Sequence, residues 1–229
     1  MDTTDAPQVI EHVSKSLSFT PNDTKWIPCS ARFVAMGIYP KATGAITVYG
    51  LNQGELKTYA ELEKKDGIKD LEKPEVPVGD TGAKGPGFGA RLLDGLLREL
   101  VQRRRALRRG RFDRKDIEMN KLLVTTLESK FRIYDLRTFH PEKGYSCMSE
   151  KAHKSTIWQG RFLPQNRDLF MTGGGNGGFN LYKYHYPLSR TTTDADGRLL
   201  GVCGTVELLN SRVLSTQPII SMDWSTSAM

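Results

Sequence analysis

The densest run of residues suited to chemistry is Gly173-Gly174-Gly175-Asn176-Gly177-Gly178, whose glycines would let a backbone approach a phosphate closely. No Lys-Ser or Lys-Thr succeeds it. The next residues, Phe179-Asn180-Leu181-Tyr182, read as a strand, whereas a phosphate loop needs a helix N-terminus to aim its dipole at the anion. A tight turn between two strands accounts for these glycines better. The four histidines, His12, His140, His153 and His185, are scattered without metal-ligand spacing. Cys29, Cys147 and Cys203 form no Cys-x-x-Cys pair and are odd in number, so neither a zinc site nor a disulfide framework is indicated. There is no Gly-x-Ser-x-Gly elbow and no His-Glu-x-x-His helix. A chain with no enzymatic activity, no cofactor and no metal is the expectation.

Charge offers a second chemistry. The net charge is +7, and between Lys84 and Arg111 nine basic residues face two acidic ones, so this stretch carries the whole excess; the rest balances at 24 against 24. Within it, Arg91 to Val101 has helical spacing of leucines and precedes Arg103, Arg104, Arg105, Arg108 and Arg109. That is the pattern of an amphipathic basic helix. It is open to reading as a nuclear import signal, an RNA-binding arm or a membrane-surface helix. The plainer reading is a segment foreign to the rest of the fold, since its Leu and Arg bias recurs nowhere else.

The elements that must position any site are strands in a repeat. The first unit runs Lys25-Trp26-Ile27-Pro28, then Arg32 to Gly37, then Gly44 to Tyr49. Another runs Arg161 to Pro164, Leu169 to Gly173, then Gly178 to Tyr182. A third begins at Phe112, continues through Leu122 to Thr126 and ends with Phe131 to Asp135. Trp26 to Tyr49 is 23 residues, Phe112 to Tyr134 is 22 and Phe162 to Tyr182 is 20. A fourth strand is expected in each unit, at Glu55 to Leu62, Gly144 to Ser149 and Gly204 to Val213. Radially repeated four-strand units are propeller blades, each needing about 40 to 45 residues. Pro218 to Ser225 mimics an opening strand that stops after one element.

The expected fold is therefore all-β, an incomplete WD-repeat β-propeller of about four to five partial blades. Residues 1–78 would be N-terminal blades, 79–111 a basic insertion, irregular or helical, and 112–229 C-terminal blades with the last truncated. Blades near 17–63 and 152–217 should pack well, while open sheet edges flank the insertion and invite aggregation. WD blades are often locked by a His, Ser/Thr, Asp, Trp relay, because a buried hydroxyl and indole need partners. Here those positions fall on His153, Thr172, Asn176 and Tyr182, a degenerate version of it. Trp158 is the candidate contact residue if it reaches the ring face, with buried packing as the alternative.

Several stretches resemble one family more closely than the generic pattern does. They are Pro7 to His12, Lys25 to Phe33, Phe112 to Leu122, Ser149 to Gln159 and Leu214 to Ile219. Over about residues 6–69 and 112–225 the chain is similar to the Monad family of WD-repeat dynein axonemal assembly factors. The resemblance implies a seven-bladed ring, of which two or more middle blades are missing here. Residues 79–111 resemble nothing in the family. It also implies a cytoplasmic adaptor for preassembly of the dynein arms of cilia and flagella, with an apoptosis-related role attached. The implied partners are a co-chaperone complex of RuvB-like ATPases with a prefoldin-like module, and dynein arm subunits. The rival expectation is an RNA-binding or nuclear protein acting through residues 98–111.

Overall fold

A computed structural model describes residues 8–27, 30–65, 107–112 and 120–225, the backbone alone at 107–112. Its regular structure is entirely β among these residues. Three four-stranded antiparallel sheets succeed one another along the chain. The first orders β1 (Thr20–Trp26), β2 (Arg32–Ile38), β3 (Gly44–Asn52) and β4 (Glu55–Lys64). The second orders β5 (Leu107–Phe112), β6 (Lys121–Thr126), β7 (Lys130–His140) and β8 (Gly144–Lys151). The third orders β9 (Ile157–Leu163), β10 (Asn166–Gly174), β11 (Gly178–His185) and β14 (Thr205–Val213). Between β11 and β14 the chain makes a hairpin of β12 (Thr191–Thr193) and β13 (Leu199–Gly201). This is an incomplete β-propeller, and each sheet is one blade.

The repeat spacing explains the registers. Phe33 pairs with Tyr49 in the first blade, Leu122 with Tyr134 in the second and Phe170 with Tyr182 in the third. In each, the aromatic of the third strand stands opposite an apolar residue of the second, which is why the aromatic spacing recurs. The middle strands are buried and the fourth strands exposed, as β6 and β4 show at the two extremes.

The second and third blades share one core. Leu123, Phe131 and Ile133 pack with Ile157, Phe162, Phe170, Tyr182 and Tyr184. Phe170 stacks on Tyr182 with centroids 5.1 Å apart, and Phe131 meets Phe170 edge-on at 5.3 Å. Such aromatic pairs add about 0.5–1.5 kcal/mol each beyond the area they bury. Gly160 lets β9 approach closely: a Cβ there would fall 2.7 Å from a Leu123 methyl.

One expectation changes. The segment 79–111 is not wholly foreign to the repeat, because Leu107 to Arg111 lies within β5 and pairs with β6 from Leu107↔Thr126 to Phe112↔Leu122. The helical alternative for the insertion 79–111 therefore fails over 107–111, where pairing to a buried strand decides the conformation. Its remainder, with Arg103, Arg104 and Arg105, lies outside the described residues. Leu122, Val124 and Tyr134 form a second buried cluster in the second blade with Leu136 and Tyr145 packed against it, and are only 2–4% exposed.

Candidate functional site

Each blade boundary is built from side chains of both neighbours. Lys121, at the start of β6, is fully buried, and its ammonium reaches across to the third blade. Nζ lies 3.1 Å from Asp168 Oδ1 and donates to the Tyr186 hydroxyl. It also stands 4.4 Å from the Tyr186 ring centroid and 5.0 Å from that of Tyr184. A buried charge is tolerated only when paired, and aromatic faces add to the pairing.

The chain between β11 and β14 folds back over the second blade. His140 is buried, and its Nδ1 accepts the amides of Glu142 and Lys143 at 3.2 and 3.0 Å. Nε2 therefore carries the proton and donates to Asp194 Oδ2 at 2.8 Å. That bond, with amides of Arg198 and Asp196, holds the Asp194 carboxyl below its usual range. Arg198 also pairs with Glu142. The hairpin is strapped at its turn.

Of the four residues assigned to the relay, the structure brings two into contact. His153 Nε2 lies 2.8 Å from Thr172 Oγ1, and burial lowers the imidazole pKa, keeping it neutral. Asn176 instead engages Ser155: its Oδ1 accepts the Ser155 hydroxyl at 3.1 Å and its amide donates back at 2.9 Å. Tyr182 accepts from Asn180 Nδ2 at 3.0 Å, and burial pushes its hydroxyl pKa up to about 12. Asn180 is the hub that sequence reasoning missed. It donates also to the Ala152 carbonyl at 2.8 Å and accepts from Ser211 at 2.7 Å, joining β11 and β14 to the loop before β9.

The glycine run serves this cluster. A Cβ on Gly174 would sit 2.6 Å from Asn176 Oδ1 and 2.7 Å from His153 Nδ1. Gly177 has φ +72°, and a side chain there would strike the Ser215 carbonyl at 1.7 Å. The run is a strand-to-strand turn. Trp158 is half-buried on β9, with its indole nitrogen 3.0 Å from where a Gly175 Cβ would stand. Arg108 and Arg109 lie on β5. Among the described residues no group of three or more His, Cys, Asp or Glu is placed to hold a metal.

The boundary between the first and third blades is made by the two ends of the described chain. Val9, Ile219, Met222 and Trp224 cover Met171, Phe179 and Leu181 of the third blade. Leu17 packs with Phe19, Ala35, Ala45 and Tyr49 of the first blade. The expected opening strand Pro218 to Ser225 is not paired as a strand. Its side chains alternate instead. Ser221 Oγ and Asp223 Oδ2 accept the Thr24 and Trp26 amides of β1 at 2.9 Å, and Asp223 pairs with Arg161 at 2.9 Å.

These interlocked blades present loops and outer strands at fixed positions. No family model matches the chain. It is 37% identical to dynein axonemal assembly factor 10 of Bos taurus, in a match covering 98% of this chain and 92% of that protein. The chain belongs to the dynein axonemal assembly factor 10 family. The family member from Homo sapiens is 36% identical over the same shares, and that from Chlamydomonas reinhardtii 33%. The Bos taurus match runs over 330 positions against 229 residues here, so the family proteins carry positions that this chain lacks. Among solved structures, Chaetomium thermophilum Sqt1 covers 88% of the chain and 38% of its own at 12% identity, with a TM-score of 0.31, too slight a likeness to carry an argument.

Proposed function

We propose that this chain is a WD-repeat adaptor, a rigid and non-catalytic scaffold that docks other proteins during cytoplasmic preassembly of axonemal dynein arms. The observation that carries the reading is the 33–37% identity to dynein axonemal assembly factor 10 proteins across 96–98% of the chain. The blades supply its physical basis. Strands locked by contacts such as Lys121 with Asp168 lose little conformational freedom when a partner docks, so contact energy is not spent on ordering. The partners in this reading are RuvB-like ATPases with a prefoldin-like module, and dynein arm subunits. We read the chain as a shortened form, with middle blades omitted between residues 78 and 112. The excess of aligned positions over residues supports that reading.

The test is co-elution of the purified chain with a purified RuvB-like ATPase complex at low and high salt. The adaptor reading expects a complex that survives high salt. Absence of a complex, together with RNA binding that falls steeply with salt, would favour the arginine-rich segment as the functional element instead.

A further inference from the structure

We propose that Thr193, on the β12–β13 hairpin, is the acceptor of an acid-directed protein kinase, and that a phosphoryl group there loosens the hairpin from the second blade. The site goes beyond the docking reading and does not depend on it.

Kinases of this class read a carboxylate on the third residue after the hydroxyl they modify, because basic side chains in their cleft pair with it. Among the described residues Thr20, Thr58, Thr125, Thr191 and Thr193 have that spacing, to Asp23, Glu61, Glu128, Asp194 and Asp196. The fold separates them. Asp23 and Thr125 are buried, at 0% and 1% exposure. Thr58 lies in β4, which pairs with β3 from end to end, and the Glu61 carboxylate is taken by the Tyr39 hydroxyl. Thr191 is half-buried, and the Asp194 carboxylate is turned to His140 and to the amides of Asp196 and Arg198. Thr193 and Asp196 are both exposed. Among the described residues neither the Thr193 hydroxyl nor the Asp196 carboxylate has a hydrogen-bond partner.

The backbone at Thr193 is also presented as a kinase needs it. β12 is extended and pairs with β13 alone, so its other side is an open edge. A three-residue strand in a two-stranded sheet is drawn into a cleft at little cost, unlike a strand inside a blade. The sheets on either side, β5 to β8 and β9 to β14, each hold four strands, so the hairpin stands on the rim of two whole blades.

In the transfer, Thr193 Oγ1 bonds to the γ-phosphorus of ATP while the bond from that phosphorus to the β,γ-bridging oxygen breaks. The hydroxyl proton passes to the kinase's carboxylate base, and ADP leaves. The product carries about two negative charges at neutral pH on the residue before Asp194. Asp194 is the strap to His140, and Glu142 of the second blade holds the same hairpin through Arg198. Repulsion between phosphate and these carboxylates acts within a Debye length and works against the strap. Gly201 of β13 stands close enough to the second blade that a Cβ there would fall 3.1 Å from the Thr138 carbonyl and 3.2 Å from the Ser146 hydroxyl. A loosened hairpin uncovers that rim of β7 and β8.

In the experiment, the full chain is incubated with ATP and a purified acid-directed casein kinase, and phosphate is located by peptide mass spectrometry. Thr193 should carry at least about tenfold more phosphate than Thr20, Thr58, Thr125 or Thr191. Asp196→Asn, which removes the guiding charge and leaves the Asp194 strap in place, should lower incorporation at Thr193 by about tenfold or more. Thr193→Ser should keep it. Amide hydrogen exchange over residues 190–202, where Val202 and Asp194 donate to the Arg190 and Arg198 carbonyls, should quicken at least about threefold on phosphorylation. Exchange in β9, β10 and β11 should stay as it was. Absence of phosphate at Thr193, incorporation indifferent to Asp196→Asn, or unchanged exchange in the phosphorylated chain each overturns the proposal. None of these outcomes touches co-elution with the ATPase complex, the separate test of the adaptor reading.

Discussion

Lys121 of the second blade and Asp168 of the third face each other at 3.1 Å, the lysine with no exposed surface and the aspartate about one-third exposed. The pair therefore joins two blades through a charge that water cannot reach on one side. Asp168→Asn removes a carboxylate partner of the buried ammonium, and should cost about 3 kcal/mol of unfolding free energy. Lys121→Met, which keeps bulk and removes the charge, should cost less, and Asp168→Asn added to it should cost under about 1 kcal/mol. Urea unfolding of the three variants measures this. Equal costs of Asp168→Asn in both backgrounds would show that the pair is not coupled.

His153 makes the third blade sensitive to acid. Its pKa is lowered from 6.5 by burial, so the unfolded chain binds the proton more readily than the folded one. The stability tied to the neutral ring is complete above about 6.5 and is lost as pH falls from there toward the lower folded value. Replacement by glutamine removes the titrating group. The wild type should lose more stability than His153→Gln between pH 7.5 and pH 5, measured as the denaturant midpoint at each pH. Parallel losses in the two proteins would mean that the ring is not held neutral.

Asp194 strapped to His140 fixes the β12–β13 hairpin against the second blade. Asp194→Ala should leave the blades folded, with their near-ultraviolet signal retained, while trypsin cleaves faster after Arg190 or Arg198. Unchanged cleavage would place the hairpin's anchor elsewhere, on the Arg198 to Glu142 pair.

Gly177→Ala tests the turn reading of the glycine run. Positive φ and the Ser215 carbonyl together should make this substitution cost at least about 2 kcal/mol by thermal or urea unfolding. Gly197→Ala also has positive φ, +77°, but open space beside it, and should cost about 1 kcal/mol.

The strands were legible because a blade writes its register into local spacing. Trp26, Phe33 and Tyr49 recur as Phe162, Phe170 and Tyr182, and the polar fourth strand comes after them each time. What joins blades was not legible. Lys121 reads as a solvated lysine at a strand start, and only the fold shows Tyr184, Tyr186 and Asp168 converging on it from more than forty residues away. Asn180 carried a faint signal, a polar residue within an apolar run, but β11 is buried on both faces and so lacks the alternation that would have marked its side. Ser221 and Asp223 cap β1 from the far end of the chain, a pairing that no local pattern encodes. The strand at Leu107 to Phe112 hid inside an arginine-rich stretch for the same reason.

The most direct test of the adaptor reading is expression of this chain in flagellated Chlamydomonas reinhardtii cells lacking their own family member, with axonemes imaged in cross-section by electron microscopy. The account predicts that dynein arms return to the outer doublets. Axonemes still without arms, in cells holding the folded chain at the level of the protein it replaces, would contradict it.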